Sequence, residues 1–339
     1  MTKPTSKIST SFGAPPSEAN PASKAFAVLV MLMGAGLVAM TLISNLFAVG
    51  PAFENLIVDF RPALSQSAID TARTDIAGLS AVQTEFTTKL APALSQQLNM
   101  TPTQFNGFVT QNFPAVTAGM NALPSVVPTF NALIDTLDKQ RPLFLAADAI
   151  PTKNLPATTV PWALFGAGAI VFLIGLLMLR SPKAGGAAAI VVGLLLLVSP
   201  MALSLPAKAA DADQLNANLK PVYTQTLVTN AAGALATIGA MGNEMQTKML
   251  PALSSQLKMT PQQLQSFLGN NFPATAQALQ TMSASMGRFN GLVKIFDKNL
   301  ANYNTLKPVG LANLISILMI VGGLVTALGA LTVLKRRKN

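Results

Sequence analysis

Apolar and polar positions along this chain are patterned on two scales. On the coarse scale, four stretches free of charged residues stand out, at about 25–49, 160–179, 186–207 and 309–334. A hydrocarbon core of roughly 30 Å takes about 20 helical residues to cross, so each stretch is long enough to span a membrane. On the fine scale, the two long segments between them, about 50–159 and 208–308, carry apolar residues three and four apart. Ile76, Leu79, Val82 and Phe86 form one such set, and Leu235, Ile238, Met241 and Met245 another. That spacing predicts amphipathic helices.

These sets lie 159 residues apart, and the same offset aligns the chain with itself without a gap from about Lys24 to Lys139. KLAPALSQQLNMTPTQFNGFVTQNFPA, from Lys89, and KMLPALSSQLKMTPQQLQSFLGNNFPA, from Lys248, are identical at 16 of 27 positions. A match of that density marks an internal duplication. Outside it, Pro62 pairs with Pro221, Glu85 with Glu244, Phe130 with Phe289 and Asn131 with Asn290. Each copy contains two spans, so the second enters the membrane in the same sense as the first. Parallel repeats call for a pseudo-two-fold axis along the membrane normal.

The expected fold is therefore an all-α integral membrane protein with four transmembrane helices and two homologous helical ectodomains, arranged as a tandem parallel repeat. A disordered cytoplasmic tail, rich in Pro, Ser and Thr, occupies 1–23. Repeat 1 runs over 24–180, with spans at 25–49 and 160–179 around an ectodomain at 50–159. Repeat 2 runs over 181–339, with spans at 186–207 and 309–334 around an ectodomain at 208–308, and ends in a basic cytoplasmic tail at 335–339. The first span exceeds the apolar core of an ordinary signal peptide and reads as an uncleaved anchor. The third ends in LPAKAAD, which offers a cleavage site after Ala209 or Ala210 as an alternative.

Within the ectodomains the repeated motifs read as structural punctuation. Thr101-Pro102-Thr103-Gln104 and Thr260-Pro261-Gln262-Gln263 have the form of a capping box with proline at the first helical position. The preceding Leu-Asn-Met and Leu-Lys-Met form the turn that reverses the chain. Asn112-Phe113-Pro114 and Asn271-Phe272-Pro273 close that short helix and open the next, with Asn as the cap. Glu85 and Lys89, like Glu244 and Lys248, lie four apart, which fits an ordinary helix ion pair better than a polar site. The last helix of the second copy carries a narrow seam of Leu279, Met282, Met286, Phe289, Val293 and Phe296, and the helix of its own lobe is its expected partner. The first copy keeps the seam as Met120, Leu123, Val127, Phe130, Ile134 and Leu137, but Pro124 and Pro128 should kink or break it.

Charge sharpens the topology. With both termini in the cytoplasm, Lys3, Lys7, Lys24, Arg180, Lys183, Lys335, Arg336, Arg337 and Lys338 lie inside, opposed by Glu18 alone. The two long loops hold the other fourteen basic and twelve acidic residues. The net charge of +10 thus follows the positive-inside bias and predicts no nucleic-acid partner. The chain has no cysteine and no histidine, which removes disulfides, thiol chemistry, the commonest general base and the commonest metal ligand. No nucleophile motif, phosphate loop or metal spacing is present, so neither catalysis nor a cofactor is expected.

The spans carry few polar groups, which argues against an autonomous transporter. The expected role is a non-catalytic accessory or scaffolding subunit of a cell-envelope membrane complex, multi-pass in the cell membrane, with ectodomains periplasmic or extracellular. Its partners would be the bilayer and other membrane proteins. The alternative is a protein that binds or transports lipid or another hydrophobic ligand. For either, the candidate surface is Met120, Leu123, Val127, Phe130, Met282, Met286, Phe289 and Val293. An apolar cavity shared by the lobes would favour the ligand; tight packing beside an exposed apolar patch would favour the partner.

Overall fold

The computed structural model describes residues 21–152 and 154–335. Among them the regular structure is helical, with one isolated bridge between Thr152 and Leu155. In chain order the helices are α1 (Pro21–Ile43), α2 (Leu46–Ala63), α3 (Gln66–Glu85), α4 (Ala91–Gln97), α5 (Pro102–Asn112), α6 (Pro114–Asp148), α7 (Thr159–Arg180) and α8 (Pro182–Ala202). They continue as α9 (Leu205–Leu219), α10 (Gln225–Glu244), α11 (Leu250–Gln256), α12 (Pro261–Asn271), α13 (Pro273–Leu306) and α14 (Leu311–Lys335). Single π turns, Phe86–Leu90 and Met245–Met249, join α3 to α4 and α10 to α11. Of the tail expected to be disordered, residues 1–20 lie outside the described part, and Pro21–Ser23 form the first turn of α1. Residues 336–339 of the basic tail also lie outside it.

Four helices are long and apolar enough to cross a membrane: α1, α7, α8 and the apolar stretch of α14. The first and third spans are shorter than the sequence suggested. Asn45 (φ 50°) and Ser204 (φ 54°), themselves 159 apart, adopt the left-handed conformation that stops a helix, so the apolar run continues around a turn into α2 and α9. Ala209 is buried within α9, so cleavage after it would first require unwinding that helix.

The chain divides into two compact units. The first contains the spans. In it α1 meets α7, and α8 meets α14, through small residues seven apart. A Cβ at Gly168 would lie 2.9 Å from the Gly34 carbonyl oxygen and one at Gly175 2.9 Å from that of Ala27. In the other pair, a Cβ at Gly322 would lie 2.8 Å from the Gly193 oxygen and one at Gly329 2.7 Å from that of Gly186. Without side chains the backbones pack directly, which is how helices associate where no hydrophobic driving force separates them from lipid. Large aliphatics, among them Leu32, Leu173, Leu195 and Ile320, project outward from all four spans.

The second unit comprises Ala48–Thr158 and Ala207–Ala312. Ser65 caps α3 by accepting from the Ala68 N–H, and Thr224 caps α10 by accepting from Leu227. Thr101 with Gln104 and Thr260 with Gln263 form complete capping boxes, each followed by Pro at the first helical position. Asn99 (φ 50°) and Lys258 (φ 54°) make the reversals before them. The π turns have a packing reason. Phe86, Leu90 and Leu94 are four apart, a spacing that drifts around a helix of 3.6 residues per turn; one wider turn brings them back towards the core.

Two expectations fail here in an instructive way. Asn112 and Asn271 do not cap the following helices; each donates its amide back to a carbonyl of its own helix, Phe108 or Phe267, at 2.8 Å. The buried Glu244 carboxylate instead crosses from α10 to accept from Ala115 (2.6 Å) and Val116 (3.0 Å) at the start of α6. Reciprocally, Glu85 accepts from Thr275 (2.7 Å) at the start of α13. Lys248 also reaches Glu244, at 3.1 Å. Each copy therefore caps the long helix of the other, and carboxylates suit the positive end of a helix. The second is the break in α6: the helix runs on through Pro124, Pro128 and Pro142. Hydroxyls of Ser125 and Thr129 bond carbonyls in the same turns, to Ala122 and Ser125, and packing holds the helix together.

The long helices close a ring in which α3 packs on α6 and α13, and α10 on α13 and α6. Each seam thus meets the other copy as well as its own. One core takes Ile76, Leu123, Phe130, Ile238, Met241 and Phe289 from both copies. A second takes Phe86, Leu94 and Phe105 together with Met245, Leu253 and Leu268. The two homologous helical segments form a single interleaved body, because neither copy's apolar stripe is covered by its own helices alone.

Candidate functional site

One end of this composite unit is built by α2, α9 and the final turns of α6 and α13. Phe53, Leu56, Ile57 and Phe60 follow the i, i+3, i+4, i+7 spacing that places them on one face of α2, and Ala212, Leu215, Asn216 and Leu219 do the same on α9. Leu64 and Tyr223 follow these helices. Leu137 and Phe144 from α6, with Phe296 and Tyr303 from α13, complete the wall of a partly open cavity of about 80 Å³.

Every one of these residues has its counterpart 159 positions away in the same wall. Only Leu56 and Leu215 are identical. The first copy contributes an apolar half: Phe53, Ile57, Phe60, Leu64 and Phe144. At the matching places the second copy has Ala212, Asn216, Leu219, Tyr223 and Tyr303. Two large rings have become small or medium residues, and three apolar side chains have become polar ones. Both tyrosines in the chain lie in this wall.

The rings form a cluster. Tyr223 stacks on Tyr303 with centroids 4.5 Å apart and planes 19° apart, and lies 5.0 Å from Phe296 and 6.0 Å from Phe60. Phe60 meets Phe296 edge-on at 5.0 Å. Polar atoms around the cavity are mostly paired. Asp213 accepts from the N–H groups of Leu311 (2.8 Å) and Ala312 (2.9 Å), and the Tyr303 hydroxyl donates to the Asn216 carbonyl at 3.1 Å. Gln140 accepts from Asn218 at 2.8 Å; the matching pair in the other register is Asp59, which accepts from Asn299 at 2.7 Å.

Two buried atoms are exceptions. The Tyr223 hydroxyl and the Asn216 Oδ1 have no hydrogen-bond partner in the protein, and such atoms are costly unless something meets them. Burial pushes the Tyr223 phenol far above its ordinary pKa, and the nearby Asp59 carboxylate and Tyr303 add to the effect. Asp59 stays ionised because its hydrogen bonds to Lys298 and then Asn299 hold its pKa down. Tyr223 is consequently a neutral phenol, able to donate and accept a hydrogen bond but not to act as a base near neutral pH.

The residues singled out from the sequence lie elsewhere. Leu123, Val127, Phe130, Met282, Met286, Phe289 and Val293 are buried in the shared core, and Met120 is half-buried against it. Phe130 and Phe289 meet edge-on at 5.4 Å. These positions form the interior of the helical unit rather than a surface, and none lines the cavity. The legible signal for the cavity was the set of differences between copies, above all Ile57 to Asn216, Leu64 to Tyr223 and Phe144 to Tyr303; the identities drew attention to caps and turns instead. Among the described residues no group of three or more acidic side chains is arranged to hold a metal ion. No protein-family model, curated protein or solved structure matches the chain.

Proposed function

We propose that this chain is a non-catalytic, four-span membrane protein that holds a small apolar ligand in a cavity formed jointly by its two repeats. The observation that carries this reading is the cavity itself, with an apolar wall drawn from matching positions of both copies. The duplicated architecture is part of the proposal. Helices α3 to α6 and α10 to α13 follow in the same order 159 residues apart, and the left-handed turns at Asn45 and Ser204, and at Asn99 and Lys258, keep that offset. A parallel repeat about an axis along the membrane normal accounts for this.

The charge asymmetry favours cytoplasmic termini, a cell-membrane location and the helical segments on the outer side. Trp162, exposed at the start of α7 and edge-on to Phe47 at 4.9 Å, is the kind of aromatic found at a membrane interface. A second reading, an accessory subunit of an envelope complex, draws support from an open groove of about 620 Å³ between α11, α12 and α13, lined by Leu250, Pro251, Leu264, Leu268 and Leu279.

Native mass spectrometry of the protein extracted from its own membrane in mild detergent separates the two. A single chain retaining a defined small lipid is the expected result, lost when Ala212→Phe restores the ring of the first copy. A co-migrating protein at fixed stoichiometry with no retained lipid would replace this reading with the subunit one.

A further inference from the structure

The size of the cavity and the character of its wall narrow the class of occupant. We propose that the site takes the end of one unbranched hydrocarbon chain, such as a bilayer lipid supplies, and excludes rings, branched ends and polar groups. The inference rests on the reading of the cavity as a ligand site and adds which apolar ligand fits.

An apolar cavity of about 150 Å³ holds a benzene molecule. This one, at about 80 Å³, has too little room for a ring. Its lining nevertheless extends along α2 from Phe53 to Phe60 and along α9 from Ala212 to Leu219, roughly 10 Å of each helix at 1.5 Å per residue. A small volume drawn out along a long wall suits a chain, and each methylene placed there leaves water.

Polar groups have nothing to meet inside. Asp213 is committed to the N–H groups of Leu311 and Ala312, the Tyr303 hydroxyl to the Asn216 carbonyl, and Gln140 to Asn218. The Tyr223 hydroxyl and Asn216 Oδ1 are themselves occluded. No lysine or arginine lines the wall, so a carboxylate or phosphate entering it would lose its hydration without gaining a cation. The head of an amphiphile therefore stays at or beyond the opening.

The wall also includes Leu311, the first residue of α14. That helix has 25 residues. At 1.5 Å per residue it extends about 37 Å, close to the thickness of a bilayer with its headgroups, so Leu311 falls in the headgroup layer when α14 crosses. Lipid tails are then the nearest source of hydrocarbon.

The test is photolabelling of the full-length protein in phosphatidylcholine nanodiscs that carry one of two tracer lipids. One has a diazirine at the end of a straight tail; the other has it on a terminal adamantyl group. Peptide mapping by mass spectrometry should place the straight-tail label on the wall around Phe53 and Phe296. Labelling should be about tenfold above that of the adamantyl lipid, and should fall by a similar factor in Ala212→Phe, the loss expected when one or two methylenes are no longer buried. Phe53→Ala, which widens the cavity, should admit the adamantyl end, with circular dichroism showing both variants folded. Labelling by a diazirine-tipped hexanoate added in water, and not by the lipid, would support chain-end binding with the aqueous phase as its source. Equal labelling by straight and adamantyl ends, lost in Ala212→Phe, would overturn the selection for a chain and leave the apolar-ligand reading standing. So would the absence of any label alongside a bound xenon-129 resonance that Ala212→Phe removes. If neither label nor xenon is found, both readings fall together.

Discussion

The two copies of the repeated unit keep one backbone and diverge in what they present at their shared end. Thr101 and Thr260 cap in the same way, Glu85 and Glu244 reach across to the same turn of the opposite helix, and Asn99 and Lys258 take the same left-handed turn. At the cavity the first copy places Ile57, Leu64 and Phe144 where the second has Asn216, Tyr223 and Tyr303. Surface ion pairs have diverged as well: Arg73 bridges Asp135 and Asp138 within the first copy, while Arg288 ties Asp75 across the two. Residues that set chain direction match between the copies. Residues facing the cavity differ, which makes the two walls asymmetric.

The sharpest way to break the comparison is at the core both copies share. Phe130→Ala and Phe289→Ala should each cost about 3–5 kcal/mol, the range for losing a buried ring. In either variant both copies should melt in one transition, followed by circular dichroism and by proteolysis at sites in each copy. Two separated transitions, with only the mutated copy affected, would mean that the copies fold independently.

Next in size is the pairing of the spans. Gly168→Leu and Gly322→Leu place a side chain against the facing carbonyl oxygens of Gly34 and Gly193, and each should destabilise its pair by about 2 kcal/mol or more. Cysteines introduced across the two pairs, in a chain that has none of its own, would report the change as lost crosslinking. Equal effects at the two glycines are expected; an effect at one alone would show that the pairs do not carry equivalent loads.

The smallest effect distinguishes the two crossing carboxylates. Glu244→Gln should cost about 1–2 kcal/mol and Glu85→Gln less, because Glu244 serves two N–H groups and Lys248 whereas Glu85 serves one N–H. Burial alone would raise the Glu244 pKa, but Lys248 and the N–H groups of Val116 and Ala115 outweigh it and bring it below the ordinary value. A pKa lowered by folding means stability that is present above the unfolded carboxylate range and is lost as pH falls through the folded value. Denaturant midpoints of wild type and Glu244→Gln should therefore converge as the pH is lowered. Parallel curves would show that the carboxylate charge contributes nothing.

Much of the skeleton was legible in residue order. The four apolar stretches, the 159-residue offset and the Thr-Pro capping boxes are local signals, and local signals are what a sequence displays directly. The short-range grammar also set the limits of that reading. Asn112 looked like a cap because nothing local revealed that Glu244, 128 residues away from Val116, would occupy the position. Pro124 and Pro128 looked like breaks because the packing that keeps α6 continuous through them comes from distant helices, α3 and α10, rather than from neighbouring residues. The register of the second spans was hidden too. Gly168 and Gly175 correspond to Gly322 and Gly329 at an offset of 154, five residues short of the main one, and the same shift relates Ala157, whose N–H meets Glu54, to Leu311, whose N–H meets Asp213.

What the sequence determined by itself is where helices start, where they stop and which are apolar enough to span a membrane, since capping, backbone conformation and transfer from water act over a few residues or along a single segment. Only the tertiary structure decided that the two copies interleave and that α2 and α9 meet the ends of α6 and α13 around Tyr223. Those outcomes depend on which apolar stripes cover one another, and buried area is a property of the pair of surfaces brought together rather than of either stretch of chain.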